Sequence, residues 1–201
     1  MSILLDTGPT VEPITTVQAK SHLVLDSSFT ADDALILGYI QASREYCEKY
    51  LNMDLVQRTW AHSMDCFPGG SAAIELPKNP VLSISSITYQ DVTVSPSLQT
   101  LASSVYGLDR GIHPAEVYLQ YGQSWPAVTR MRNSVTITFV SGHAEGTNRP
   151  IDFTANIPES IKSAIKLIVG DLYRDRESTT DMQRYSNRTV DNLLDLNRNF
   201  R

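Results

Sequence analysis

At 201 residues, 41% hydrophobic and 19% charged, the chain can bury a core and is too apolar for a generically disordered protein. Its formal net charge of −5 argues against a general nucleic-acid binder, which carries a basic excess. The charge is uneven. Residues 1–120 hold 6 Lys/Arg against 13 Asp/Glu, a balance of −7, and residues 121–201 hold 11 against 9, a balance of +2; such an asymmetry helps copies meet head to tail.

In chain order, the first twelve residues read as a loose arm punctuated by Pro9 and Pro13. Thr15 or Thr16 caps a short helix, VQAKSHLVL, and Asp26 to Phe29 forms a turn. Thr30 caps a second helix, TADDALILGYIQASREYCEKYL, with Asp33 three residues on. Ile36, Ile40, Ser43, Cys47 and Tyr50 make its core stripe, flanked by Leu37 and Leu51. Arg44, Glu45, Glu48 and Lys49 are expected outside that stripe.

From about Leu55 the spacing changes to that of strands. LVQRTWAHSMDCF places a large residue at every second position from Val56 through Trp60 to Cys66, and Pro68-Gly69-Gly70 turns the chain. AAIEL and VLSISSITYQ follow, and Pro77 and Pro80 limit both to short or edge strands. Residues 92–114 are poorly patterned, with one strand near Leu101–Tyr106, and EVYLQY alternates again. SVTITFV is the clearest strand: Val135, Ile137 and Phe139 are expected buried, Thr136 and Thr138 largely exposed.

After a long loop, Ser141 to Ile157, comes the stretch that organises the chain, PESIKSAIKLIVGDLYRDRE over 158–177. Pro158 suits the first helical position and Glu159 the positive end of the helix dipole. Ile161, Ile165, Ile168 and Leu172, widened by Ala164 and Tyr173, form a stripe roughly 30 Å long. Its expected partner is the Ile36–Cys47 stripe. The tail is polar until Thr189, which caps a short helix, VDNLLDLNRNF, carrying Val190, Leu193, Leu194 and Phe200. A helix this short needs a surface to fold on, either its own bundle or another chain.

Strands following one another with short turns between two helical segments specify an α+β protein. The expected architecture is a small helical bundle with an inserted antiparallel β region and a C-terminal helical tail. It is read as one domain over 1–201: N-terminal helices in 1–54, strands in 55–140, the long helix in 158–177 and the tail in 178–201.

Chemical signatures are scarce. GxSxG, HExxH, Walker and GxGxxG motifs are absent from the sequence. Cys47 and Cys66 do not form a CxxC pair and read as two reduced, partly buried thiols of an intracellular protein. His22, His62, His113 and His143 are scattered and read as surface or strand residues rather than metal ligands. His143-Ala-Glu145 matches the start of a zinc-deaminase signature without its PCxxC half. Asp32-Asp33 fits a helix start. The opening MSILLDTGPTVEP has no basic flank or long apolar run, so no signal peptide is expected, and no apolar run reaches membrane-spanning length. Arg174, Arg176, Arg184 and Arg188 are candidates to touch phosphate or a partner's carboxylates, against the plain reading of a solvated face shared with Asp175, Glu177 and Asp181.

The order and wording of several segments resemble the head–tail connector, or head-completion adaptor, family of tailed bacteriophages and prophages. They are TTVQAKSHLVLDSSFTADDALILGYIQASREYCEKYLNMDLVQRTW, FPGG with IELPKNPVLSISSITYQD, VTITFVSGHAEG, IPESIKSAIKLIVGDLYRDRE and VDNLLDLNR. Together they cover most of the chain, with departures at 92–114 and Asn148–Asn156. The resemblance implies a structural virion protein and no enzyme, with no cofactor and no metal. It implies a homo-oligomeric ring, twelvefold when matched to a portal, that assembles in the bacterial host cytoplasm. That ring sits beneath the portal protein at the head–tail junction, extends the DNA channel, and docks a tail or stopper protein. Packaged DNA would pass through without specific binding, and no membrane is involved. On this reading the contacts to neighbouring copies or the portal fall on Arg174, Arg176, Arg184, Arg188, Val190, Leu193, Leu194 and Phe200. A second reading, a DNA-binding or regulatory module using the helix pair and the Arg-bearing tail, lacks a basic patch to support it.

Overall fold

The computed structural model of the chain describes residues 1–91, 97–128, 131–143, 156–175 and 188–198. Its elements in order are β1 (Ser2–Thr7), α1 (Thr16–His22), α2 (Asp33–Leu51), β2 (Arg58–Met64), β3 (Ile74–Glu75) and β4 (Val81–Gln90). There follow β5 (Leu98–Thr100), β6 (Tyr106–Asp109), β7 (Glu116–Leu119), β8 (Val135–Ser141), α3 (Glu159–Arg174) and α4 (Arg188–Asp195). Two compact units result. One joins Met1–Thr10 to Gln57–His143 and holds the strands; the other joins Val11–Val56 to Ala144–Arg201 and holds the helices. The class is α+β, as the spacing of apolar residues implies.

In the helical unit, α1 starts as its sequence dictates. The Thr15 hydroxyl accepts from the Gln18 N–H at 3.1 Å, and the Gln18 side chain accepts from the Thr15 N–H at 2.9 Å, a reciprocal capping box. Helix α2 starts differently from expectation. Thr30 is not its cap; Asp32 takes that position without a capping hydrogen bond and instead accepts from the Tyr173 hydroxyl at 2.7 Å. The helix ends at Asn52, whose left-handed φ of 54° is one that asparagine tolerates. Pro158 precedes the first residue of α3 rather than occupying it, and its carbonyl accepts from Ile161 and Lys162.

The core of this unit is the expected meeting of two stripes. Ile36, Ile40, Cys47 and Leu51 of α2 pack with Ile161, Ala164, Ile165 and Val169 of α3, all 0–1% exposed. The α3 stripe is turned slightly from its sequence reading: Val169 is at its centre and Ile168 at its margin. Each fully buried Ile contributes roughly 1.5–3 kcal/mol of transfer free energy before ordering costs.

In the strand unit, five strands form an antiparallel sheet in the order β1-β2-β8-β4-β5, and three form a second in the order β3-β7-β6. The arm expected to be loose is therefore a strand over Ser2–Thr7. Its pairing partner lies some fifty residues downstream, with Ile3 opposite His62 and Leu5 opposite Trp60, so nothing local marks it. Strand β4 is ten residues long and lies between β8 and β5, not at the edge; Pro80 sits just before its first residue and costs it no ladder hydrogen bond. In β8, Val135, Ile137 and Phe139 are fully buried. Thr136 and Thr138 are half-buried rather than largely exposed, because β8 is central and Thr136 shares a hydrogen bond with Ser63 on β2. The inward residues meet Ile74, Leu76, Ala115 and Val117 from the region of the smaller sheet, forming a second core.

Candidate interaction surfaces

Three features stand apart from simple apolar packing. The first is a buried cation. Arg44 and Glu48, expected on the outer face of α2, are 5% and 9% exposed. The Arg44 Nε donates to Glu12 Oε2 at 2.8 Å and its Nη1 to Glu48 Oε2 at 2.9 Å. Glu48 Oε1 in turn accepts from the Leu55 N–H at 3.1 Å. Burial alone would lower the Arg44 pKa; the two carboxylates outweigh it and hold the guanidinium above its ordinary value. This network fastens both places where the chain enters and leaves the helical unit, next to residue 11 and next to residue 56. It is a positioning device and not a reactive site.

The second feature is the tail. Helix α4 packs on α3 and α2 of its own chain. Val190 is 5% exposed and Leu194 0%, both inside the helical core, and Leu193 is partly buried against it. Around this seat the Tyr50 hydroxyl donates to Asp195 Oδ1 at 2.8 Å, the Arg198 guanidinium lies 4.9 Å from the Tyr50 ring centroid, and Asn197 Nδ2 donates to Ser160 Oγ at 2.7 Å. Of the two surfaces open to this helix, another molecule or its own bundle, Val190 and Leu194 take the second: they fill their own core, because α2 and α3 leave an apolar seat that the short helix covers. Of the four arginines, Arg174 and Arg188 are exposed; Arg176, Arg184 and Phe200 lie outside the described residues.

The third feature lies in the strand unit. A cavity of about 370 Å³ is lined by Met1–Ile3, His62, Glu75–Pro77 and Pro114. His62 is 5% exposed, and neither ring nitrogen has a partner in hydrogen-bonding geometry. Burial pushes the imidazole below its ordinary pKa; the Ser2 backbone opposes it, and the positive N-terminus adds a smaller push downward. Read from the sequence only as a surface or strand residue, His62 is a buried strand residue; period two in RTWAHSM, which puts it on the face of Trp60 and Met64, was the signal for that, and the cavity in front of it had none.

His143 is likewise held low by burial, while His22 and His113 are exposed. Cys47 is buried and Cys66 exposed, so only one of the two thiols matches a shielded setting. Among the described residues no group of three or more His, Cys, Asp or Glu is placed to hold a metal ion, and no helix is long and apolar enough to cross a membrane. Tyr121 is fully exposed at the tip of the turn after β7. Val24, 90% exposed, holds a left-handed φ of 57°, unusual for a β-branched residue.

Residues 14–100 match the model of a family described as Phage gp6-like head-tail connector protein, which bears out the resemblance over that span. The whole chain is similar in fold to a chain from the neck of an empty gene transfer agent (GTA) particle computed with C6 symmetry. The TM-score is 0.76 at 19% identity, covering 100% of this chain and 97% of the other. It is also similar to a chain of the native GTA virion, at a TM-score of 0.74 and 19% identity over 100% and 97% of the two chains. A third likeness is to the neck of the native GTA particle computed with C12 symmetry, at 0.66 and 16% over 97% and 96%. No curated protein matches the sequence.

Proposed function

We propose that the chain is a structural protein of the head–tail junction of a phage-like particle. It forms a ring beneath the portal, extends the DNA channel and offers a docking surface to a tail or stopper protein. The observation that carries this reading is the connector-family match over 14–100, within a chain whose full length shares the fold of neck chains. The neck structures similar to it were solved with sixfold and twelvefold symmetry, which supports a ring for this chain too. An acidic chain suits a passage for DNA, since phosphate contacts are what hold DNA to protein.

Contacts between copies or to the portal are proposed at Arg174 and Arg188, exposed on α3 and α4, with Arg176 and Arg184 of the segment between them. Their counterpart is the acidic first 120 residues of a neighbour, with its balance of −7. Electron microscopy of the purified protein, alone and added to portal-bearing heads that lack it, is the direct test. Rings at the portal vertex are the expected result. A chain that stays monomeric and leaves such heads unchanged would refute the reading.

A further inference from the structure

The His62 cavity is mostly apolar; its polar lining is Ser2, Glu75, the chain's first residue and the imidazole, whose buried nitrogens have only the Ser2 backbone beside them and no partner in full hydrogen-bonding geometry, so at least one is left to accept. A buried polar group without a partner is costly, so a ligand that supplies a hydrogen bond there while filling the apolar space is favoured. At about 370 Å³ the cavity is at the small end of ligand sites, nearer to one aromatic side chain than to a large cofactor. A phenol meets both demands: an apolar ring and a hydroxyl that donates to a neutral imidazole.

The chain itself carries such a group. Tyr121 is the most exposed large hydrophobic side chain among the described residues, at 103%. It is also held in place. Gln123 N–H donates to the Gln120 carbonyl at 3.0 Å, closing a four-residue turn, and Gly122 supplies the positive φ of 75° that its third position requires. Gln120 N–H donates to the Val105 carbonyl at 2.9 Å, tying the turn to the body of the unit. Strand β7 separates knob from hole: Pro114 lines the cavity before its first residue, and Tyr121 follows its last. Seven residues of near-extended chain place them roughly 20 Å apart, so Tyr121 does not reach the cavity of its own chain.

We infer that Tyr121 of one copy inserts into the His62 cavity of the next, its hydroxyl donating to the imidazole. A knob and a hole at opposite ends of one strand make a head-to-tail contact, the kind that closes into a ring when the rotation is right. The occupant is thus a second copy of this chain. This inference rests on the ring reading above.

Two measurements decide it. The first compares ring formation by the wild-type chain, Tyr121→Ala and Tyr121→Phe, using sedimentation and portal-bearing heads. Tyr121 is exposed in the single chain, so neither substitution removes a core contact. Association is expected to weaken at least about tenfold in Tyr121→Ala, as for an aromatic anchor, and less in Tyr121→Phe. Rings from Tyr121→Ala as readily as from wild type would overturn the inference and leave the ring reading standing. A wild-type chain that never self-associates, even on heads, removes both. The second measurement needs no ring: 4-methylphenol is titrated into the Tyr121→Ala chain while the His62 ring signals are followed by NMR. A saturable shift, larger than the one toluene produces, is expected. No shift with 4-methylphenol would overturn the inference whatever the state of assembly.

Discussion

Replacing Arg44 with Met tests the buried network directly. The substitution keeps most of the apolar stem and removes the charge. It leaves Glu12 and Glu48 without the cation that each contacts at 2.8–2.9 Å, in surroundings where their side chains are only 14% and 9% exposed. Breaking a buried pair by removing one partner costs about 3–5 kcal/mol, because an uncompensated charge stays behind. That is a large fraction of the roughly 5–15 kcal/mol that stabilises a typical domain. Arg44→Lys restores the charge but not the fork: a single ammonium does not reproduce the Nε and Nη1 geometry toward two carboxylates. It should recover part of the loss, with one charged hydrogen bond of about 1.5–3 kcal/mol still missing. The assay is urea unfolding followed by circular dichroism at 222 nm, where the helical unit dominates. The cost should persist at 0.5 M salt, since buried pairs are poorly screened. A loss below about 1 kcal/mol for Arg44→Met, or a loss abolished by salt, would show that the network is solvated and would refute the reasoning.

Ile165→Ala should cost about 2–5 kcal/mol in the same assay, since the side chain is fully buried where the two stripes meet; an unchanged melting temperature would sink that pairing. Truncation after Glu177 should lower the melting temperature of the helical unit, because Val190 and Leu194 leave its core; a truncated chain that melts like the full one would show that α4 is not seated on its own bundle. The strand unit should lose stability as pH falls below about 6.5. The ordinary histidine pKa is 6.5, and His62 and His143 are both lowered in the fold, so the unfolded chain takes up protons first; tryptophan fluorescence across pH 7.5–4.5, with His62→Gln as control, checks the sign. Iodoacetamide at pH 8 should label Cys66 and spare Cys47, whose thiol burial pushes up to about 12; mass spectrometry of the native protein reads the ratio.

What the chain dictates by itself is local. Thr15 and Gln18 close a capping box because they stand only three positions apart. Ile161 and Ile165 share a helix face, and Val135, Ile137 and Phe139 a sheet face, because the backbone periods of 3.6 and 2 leave no choice. Those signals sufficed for the α+β class and for the α2–α3 core. The tertiary structure decided whatever depends on a partner distant in sequence. Ser2–Thr7 is a strand because β2 offers an edge there. Arg44 and Glu48 are buried because Glu12 and the Leu55 N–H arrive to satisfy them; without those partners the same charges belong in water. Val190 and Leu194 need a surface in either case, and amphipathicity alone does not say whose. The seat between α2 and α3 does, since a surface tethered to the same chain presents a far higher effective concentration than a separate molecule.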